Sequence, residues 1–204
     1  MPHLKQPLEY GHFYHIYNRG NNSATLFFET ENYNYFLRLY SKYIDPIAET
    51  YAWCLLKNHF HILVRIKDKE EIEKYTTNEN DGNNFKIKQP SRQFGHLFNA
   101  YTQAINKKYG RTGCLFEGTF ERKLVDSESY FQKLLFYIHN NPVHHGLVTS
   151  IVDYPWSSYS TIISKKPTKL NRETVLKTYD GLENFIFFHQ QEQDLTAIEN
   201  IIIE

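Results

Sequence analysis

Apolar and polar positions change their period several times along the chain, and the changes divide it into elements. His12-Phe13-Tyr14-His15-Ile16-Tyr17-Asn18 alternates loosely and is rich in aromatics, which predicts a strand stopped by Arg19-Gly20-Asn21-Asn22. From Thr30 and Glu31, the residues Phe36, Leu37, Leu39, Tyr40 and Tyr43 recur at near-helical spacing and predict a helix through Ile44, ended by Pro46. Two apolar runs follow, Tyr51 to Leu56 and Phe60 to Ile66, separated by Lys57-Asn58-His59. They predict an antiparallel pair with a short connection. Residues 67–89 are crowded with charge and then polar, which predicts a flexible surface insertion. Pro90-Ser91 opens a long helix with Phe94, Leu97, Phe98, Tyr101 and Ile105 on one face and Gly110 as its stop. Leu115 to Val125 predicts another strand. Asp126 or Ser127 then caps a helix carrying Tyr130, Leu134, Leu135, Tyr137 and Ile138, which Pro142 terminates.

The order β-α-β-β-α-β-α, with no internal repeat, predicts an α+β sandwich of the ferredoxin-like kind: an antiparallel sheet with helices packed on it. Residues 151–204 form a C-terminal extension. Asp180 to Glu204 holds six acids and no Lys or Arg, so that stretch cannot track a phosphate backbone.

Composition narrows the class. The length of 204 residues suits one domain with an appendage, and 41% apolar with 23% charged residues is ordinary for a globular chain. Lys+Arg and Asp+Glu are both 23, so net charge names no partner, and any such argument must be local. No apolar run reaches the roughly 18 residues of a membrane span, so no membrane partner is expected. The N-terminus lacks the apolar segment of a signal peptide. Cys54 and Cys114 lie far apart without C-x-x-C spacing, which argues against a disulfide framework or a cysteine-built zinc site and fits a reducing cytoplasm.

Three features can carry chemistry. His59-Phe60-His61 places two imidazoles at i and i+2, on one face of a strand, where they can share a metal ion. With ten histidines in the chain, the triplet can also arise by chance. Tyr137 and Asn141 lie one helical turn apart and share a face. Tyr is a usable nucleophile where a metal activates the electrophile, whereas most of the 16 tyrosines must be packing residues with a wet tip. From Asn84 to Lys123, eight cations (Lys86, Lys88, Arg92, Lys107, Lys108, Arg111, Arg122, Lys123) face only Glu117 and Glu121, a local balance of +6. Aromatics are interleaved with them, including Phe85, Phe94, Phe98, Tyr101, Tyr109, Phe116 and Phe120. The stretch suits phosphate tracking and stacking of unpaired bases; the alternative is core aromatics and solvated cations.

In this order the three features resemble the single-tyrosine HUH transposases, and more narrowly the REP-associated tyrosine transposases of bacteria. His15-Ile16-Tyr17-Asn18-Arg19-Gly20 is similar to the family's first strand and its N-R-G ending, and Ala52 to Leu63 to its HUH strand with the lead-in. Tyr137-Ile138-His139-Asn140-Asn141-Pro142-Val143, followed by Gly146-Leu147-Val148, resembles the tyrosine helix and the N-P-V element. Tyr154-Pro155-Trp156-Ser157-Ser158-Tyr159 resembles the segment after it. The match covers about residues 10–160 in segments; the family's usual Arg-Ala after N-P-V is His144-His145 here, and 67–89 and 165–204 match nothing.

The resemblance implies an RRM-like or ferredoxin-like fold, with residues 1–150 as the catalytic domain and 151–204 as the extension. It implies a metal-dependent single-stranded DNA endonuclease and strand transferase acting on hairpin or repeat DNA. His59 and His61 would hold Mg²⁺ or Mn²⁺. Tyr137 would be the nucleophile, forming a 5′-phosphotyrosine and freeing a 3′-OH. Asn141 would be the third ligand or a polar partner, one methylene shorter than the Gln often found four residues after the tyrosine. Arg19 joins the eight cations above as an expected DNA contact, and the protein would act as a monomer or homodimer. Two other readings stay open: a domesticated hairpin-binding module without cleavage, and a metal phosphoesterase in which water attacks.

Overall fold

The computed structural model describes residues 7–79 and 88–196. Four strands, β1 (Phe13–Arg19), β2 (Ala48–Leu56), β3 (His59–Ile66) and β4 (Glu121–Val125), form one sheet in the order β2-β3-β1-β4. Every neighbouring pair is antiparallel. The helices are α1 (Thr30–Ile44), α2 (Lys69–Glu79), α3 (Pro90–Tyr109), α4 (Glu128–His144), α5 (Tyr159–Ile163), α6 (Arg172–Lys177) and α7 (Leu182–Gln190). The fold is α+β, as the element order predicts. Among the described residues no helix is long and apolar enough to cross a membrane.

Strand alternation divides the core in two. Tyr14, Ile16, Phe60, Ile62 and Val64 point to one face and pack with Phe36, Leu39, Phe94, Leu97 and Tyr101 of α1 and α3. The opposite parity of the same strands turns to α4, where Cys54, Leu56, Leu63 and Val125 pack with Leu134, Leu135, Tyr137 and Ile138. The second face needs more cover than α4 alone supplies, and the C-terminal extension provides it. Tyr154, Tyr159, Ile162, Val175, Tyr179 and Phe185 are buried in the α4-side core. The extension also closes the β2 edge: Leu55 N–H donates to Trp156 O, Ser158 N–H to Trp53 O and Asn171 N–H to Thr50 O. An otherwise bare row of strand donors and acceptors is thereby paired.

Three expectations are corrected. Residues 69–79, part of the expected surface insertion, form α2, and Ile72 is fully buried in the core. The strand expected over 115–125 is confined to Glu121–Val125, because Gly113 (φ 81°) and Gly118 (φ 69°) turn the chain through the left-handed region. Leu115 and Phe116 reach the core from this loop instead. Pro142 lies inside the last turn of α4, which continues to His144. A proline so near the C-terminus forfeits one backbone bond, and the ending is secured by His145 N–H to Asn141 O and Leu147 N–H to Pro142 O.

Candidate active site

The strand register decides which side chains meet. In the β1–β3 ladder Tyr17 lies opposite His61 and Arg19 opposite His59, so β1 and β3 send His15, Tyr17, His59 and His61 to the α4 face together. From above, α4 presents Tyr137 and, one turn later, Asn141. The rings of His59 and His61 are 5.3 Å apart and nearly perpendicular. Tyr137 Oη lies 3.5 Å from His61 Nε2, and Asn141 Oδ1 lies 3.1 Å from His59 Nε2. Tyr137, His59, His61 and Asn141, which the sequence places on two separate elements, thus form one cluster. It is buried: His61 and Asn141 are 0% exposed, Tyr137 3% and His59 7%.

Burial also settles the charge. It pushes His59 down to about 4, against its hydrogen bond to Asn141 Oδ1 and with the help of His145 and Arg19. It holds His61 well below the ordinary imidazole value, with His15, His59 and His145 adding to the effect. Both rings are neutral at neutral pH, the form that binds metals. Neutral His59 has one N–H but meets two oxygens: Asn58 Oδ1 at 2.8 Å from Nδ1 and Asn141 Oδ1 at 3.1 Å from Nε2. With the proton on Nδ1, the Nε2 lone pair faces an amide oxygen. Turning the Asn141 amide end for end relieves the mismatch, and so does a cation. Two cis ligands of an octahedral ion with ~2.1 Å bonds stand ~3.0 Å apart, which these two atoms fit. Asn141 Nδ2 has no hydrogen-bond partner among the described residues. The donor set is two imidazoles and an amide; among the described residues no group of three or more His, Cys, Asp or Glu side chains is arranged as a metal site.

Sequence reasoning missed His15 as a site residue. It is fully buried and its Nε2 lies 2.9 Å from His61 Nδ1, with the rings stacked at 5.1 Å. Along the chain it is one more aromatic position of β1, and the β1–β3 register is what places it beside His61. Burial, helped by Lys123 across the β1–β4 pair, pushes it down to about 3. A cleft of about 480 Å³ opens beside His59 and is lined by Arg19, Ser23, Thr25, Lys57, Asn58 and His145. Arg19 pairs there with Glu117 and donates to Ser23 Oγ.

The other expected DNA contacts do not make one patch. Arg122 donates to Ser91 Oγ beside Arg92, and Lys88 lies over the Tyr75 ring, so these three gather near the start of α3. Lys107 and Lys108 sit at its far end, ~22 Å away along a helix rising 1.5 Å per residue. Lys108 pairs there with Glu29, and Arg111 follows in the loop. Lys123 lies on the His15 side of the sheet. Lys86 and Phe85 fall outside the described residues. Phe94, Phe98, Tyr101, Phe116 and Phe120 are at most 7% exposed, which removes them from base stacking: helical and loop packing against the sheet has claimed them for the core.

A second histidine cluster lies on the far side of α4. His139 sits two residues after Tyr137, about 200° around the helix. Its Nδ1 is 3.0 Å from His189 Nε2 and its Nε2 is 2.8 Å from Ser158 Oγ. His189 Nδ1 faces Phe185 O at 2.8 Å and must carry a proton to donate to it. The remaining directions follow in turn: His139 Nδ1–H donates to His189 Nε2, Ser158 O–H donates to His139 Nε2, and Ser158 Oγ accepts from Trp53 N–H. Every group is satisfied with both rings neutral.

Comparison with known proteins meets the same family. No protein-family model matches the chain. A candidate REP-associated tyrosine transposase of Haemophilus influenzae is 29% identical over 114 residues, 54% of this chain and 58% of that protein. The aligned region therefore spans little more than half the length of that relative. A solved REP-associated tyrosine transposase bound to a REP hairpin superimposes with a TM-score of 0.59 at 16% identity, over 82% of this chain and 89% of that one. A bacterial tRNA(His) guanylyltransferase-like protein in complex with ATP reaches a TM-score of 0.43 at 9% identity, over 85% of this chain and 70% of that one, and supports no functional reading. The chain is thus similar to the REP-associated tyrosine transposases in sequence over half its length and in fold over most of it.

Proposed function

We propose that this chain is a metal-dependent endonuclease and strand transferase for single-stranded or hairpin DNA, with Tyr137 as its nucleophile. The observation that carries the proposal is the meeting of Tyr137 and Asn141 with the strand pair His59 and His61, Tyr137 Oη lying 3.5 Å from His61 Nε2. The hairpin bound to the structural relative supports the same substrate class.

His59, His61 and Asn141 would hold Mg²⁺ or Mn²⁺, which when bound polarises an oxygen of the scissile phosphate. The chain supplies the rest. Tyr137 Oη bonds to phosphorus as the bond to the 3′-oxygen breaks; the phenol gives its proton to solvent and the departing 3′-oxygen takes one from solvent, so it leaves as a hydroxyl. The phosphotyrosine keeps the energy of the phosphodiester, so an incoming 3′-OH reverses the step without ATP. Burial of Tyr137 keeps water from that ester, which favours rejoining over hydrolysis. Arg19 and Lys57 line the cleft beside His59, where a phosphate backbone meets positive charge.

One observation favours the second reading, a module that binds hairpins without cutting: Tyr137 is 3% exposed, so its hydroxyl is largely closed to a phosphate. Incubating the protein with end-labelled single-stranded hairpins and Mn²⁺, then denaturing, separates the readings. A covalent protein–DNA species mapped to Tyr137 is the expected result. Cleavage without that species assigns attack to water, and tight binding without cleavage assigns the chain to the binding class.

A further inference from the structure

We propose that His15 is the positioning residue for His61: its Nε2 accepts the His61 Nδ1–H, so that the His61 Nε2 lone pair faces Tyr137 and the ligand side of the site. The proposal rests on the metal reading above and names the residue that sets one ligand. His15 does not touch the reacting atoms and acts through His61.

The 2.9 Å contact between His15 Nε2 and His61 Nδ1 holds one proton. Two arrangements of neutral rings satisfy it. If His15 donates, the proton of His61 sits on Nε2 and blocks that nitrogen as a ligand. If His61 donates, Nε2 is free, and His15 carries its own proton on Nδ1. A metal-bound imidazole regularly donates its other N–H to an acceptor that fixes tautomer and ring orientation. His61 is 0% exposed, and the acceptor its Nδ1 meets is His15.

The pair is not what packing alone would select. In the His139–His189 cluster each ring nitrogen has a matched partner. His15 uses one nitrogen, and its buried Nδ1 has no hydrogen-bond partner among the described residues. Phe13, two residues earlier on the same strand face, packs edge-on against Tyr51 and Phe131 and shows that an apolar ring fits this layer. A histidine with one orphaned nitrogen is the poorer packing residue, and the bond to His61 is what it offers instead.

Nitrogen-15 NMR of imidazole-labelled protein in saturating Mg²⁺ reads the tautomer. His61 is expected to carry its proton on Nδ1, with a scalar coupling across the hydrogen bond to His15 Nε2. His15→Phe keeps a ring and removes the acceptor; the Nε2–H form of His61 should grow, and the Mn²⁺ dissociation constant, followed by paramagnetic resonance of the free ion, should rise about ten-fold or more. His15→Gln, whose amide oxygen accepts the same N–H, should stay within about three-fold of the parent protein. A proton on Nε2 of His61 in the Mg²⁺-saturated parent, or unchanged Mn²⁺ affinity in folded His15→Phe, overturns the proposal. If His15→Phe does not fold, the parent spectrum and the His15→Gln affinity decide. If the parent protein binds no Mn²⁺, the metal reading fails by itself, and the tautomer shift between parent and His15→Phe in metal-free buffer still decides the positioning role.

Discussion

Two buried histidine clusters lie on opposite sides of α4, and they are built on opposite principles. The far cluster, His139 with His189 and Ser158, is closed: each ring nitrogen and the hydroxyl is matched, and the directions of all its bonds follow from Phe185 O. The near cluster, His15, His61 and His59 under Tyr137 and Asn141, is open. Among the described residues His15 Nδ1 and Asn141 Nδ2 have no hydrogen-bond partner, and His59 turns one proton toward two oxygens. A closed polar network stabilises and specifies a core, whereas unsatisfied buried groups mark a place where something else is to bind. Helix α4 is therefore held from one side and used from the other. The extension residues around His189 fix the helix whose opposite face carries Tyr137.

The comparison breaks most visibly at Tyr137. Tyr137→Phe should lower covalent adduct formation at least 1,000-fold, while hairpin affinity and thermal stability stay near the parent values. An adduct that survives would move the nucleophile to another tyrosine. Next in size, His59→Ala or His61→Ala should cost ~100-fold or more in cleavage and less than ~3-fold in hairpin affinity, because phosphate contacts elsewhere supply most of the binding. A parallel loss of binding in gel-shift titrations would make these histidines structural, like those of the far cluster.

The far cluster should answer with stability rather than chemistry. His139→Leu strands the Ser158 hydroxyl and His189 Nε2, and should cost ~3 kcal/mol in denaturant unfolding, with adduct formation per folded molecule kept within a few-fold. Adding His189→Leu should cost less than its own single effect, since both ends of one bond are then gone.

Acid loads both clusters, since burial also depresses His15, His59 and His61, and the far cluster's share can be isolated. Burial pushes the folded His189 down to about 4 from an ordinary 6.5, and holds His139 well below that ordinary value. The unfolded chain binds protons that the folded chain refuses, so stability is complete above about pH 6.5 and falls as the pH drops towards 4. At ~1.4 kcal/mol per pKa unit, His189 alone should cost ~3 kcal/mol by pH 4. Calorimetry should show a melting temperature that falls steeply over this window, and more shallowly in the His139→Leu, His189→Leu protein. A flat profile would mean that these rings are protonated as readily folded as unfolded.

The smallest effect is expected from the surface. Neutralising Arg92 and Arg122 together should reduce the salt slope of hairpin binding by roughly one unit for each phosphate that no longer meets a cation. An unchanged slope would take the start of α3 out of the DNA surface.

The sequence by itself determined the helices and strands that carry strong periodicity. The α1 stretch ends at Ile44 as its spacing predicts, α3 runs from Pro90 to just before Gly110, and β2 and β3 flank Asn58. It also named the four residues that meet in the candidate site, because strand parity and a helical turn are local rules: His59 and His61 share a face by i, i+2 spacing, and Tyr137 and Asn141 by i, i+4. Local rules are silent wherever partners come from elsewhere. The polar charge of 67–79 concealed a helix because one buried Ile72 anchors it to a distant core. Five of the aromatics between Lys86 and Lys123 looked available for stacking until α3 and the loop before β4 packed them into the core, and the basic run, continuous in sequence, was spread over the length of a helix. His15 is the clearest case. Nothing in its neighbours along the chain distinguishes it from the other aromatic positions of β1; the β1–β3 register, a contact across 46 residues, sets it beside His61. Pairing of strands far apart in sequence depends on the whole sheet closing at once, and that is the step at which the tertiary structure, and not the local pattern, decided the site.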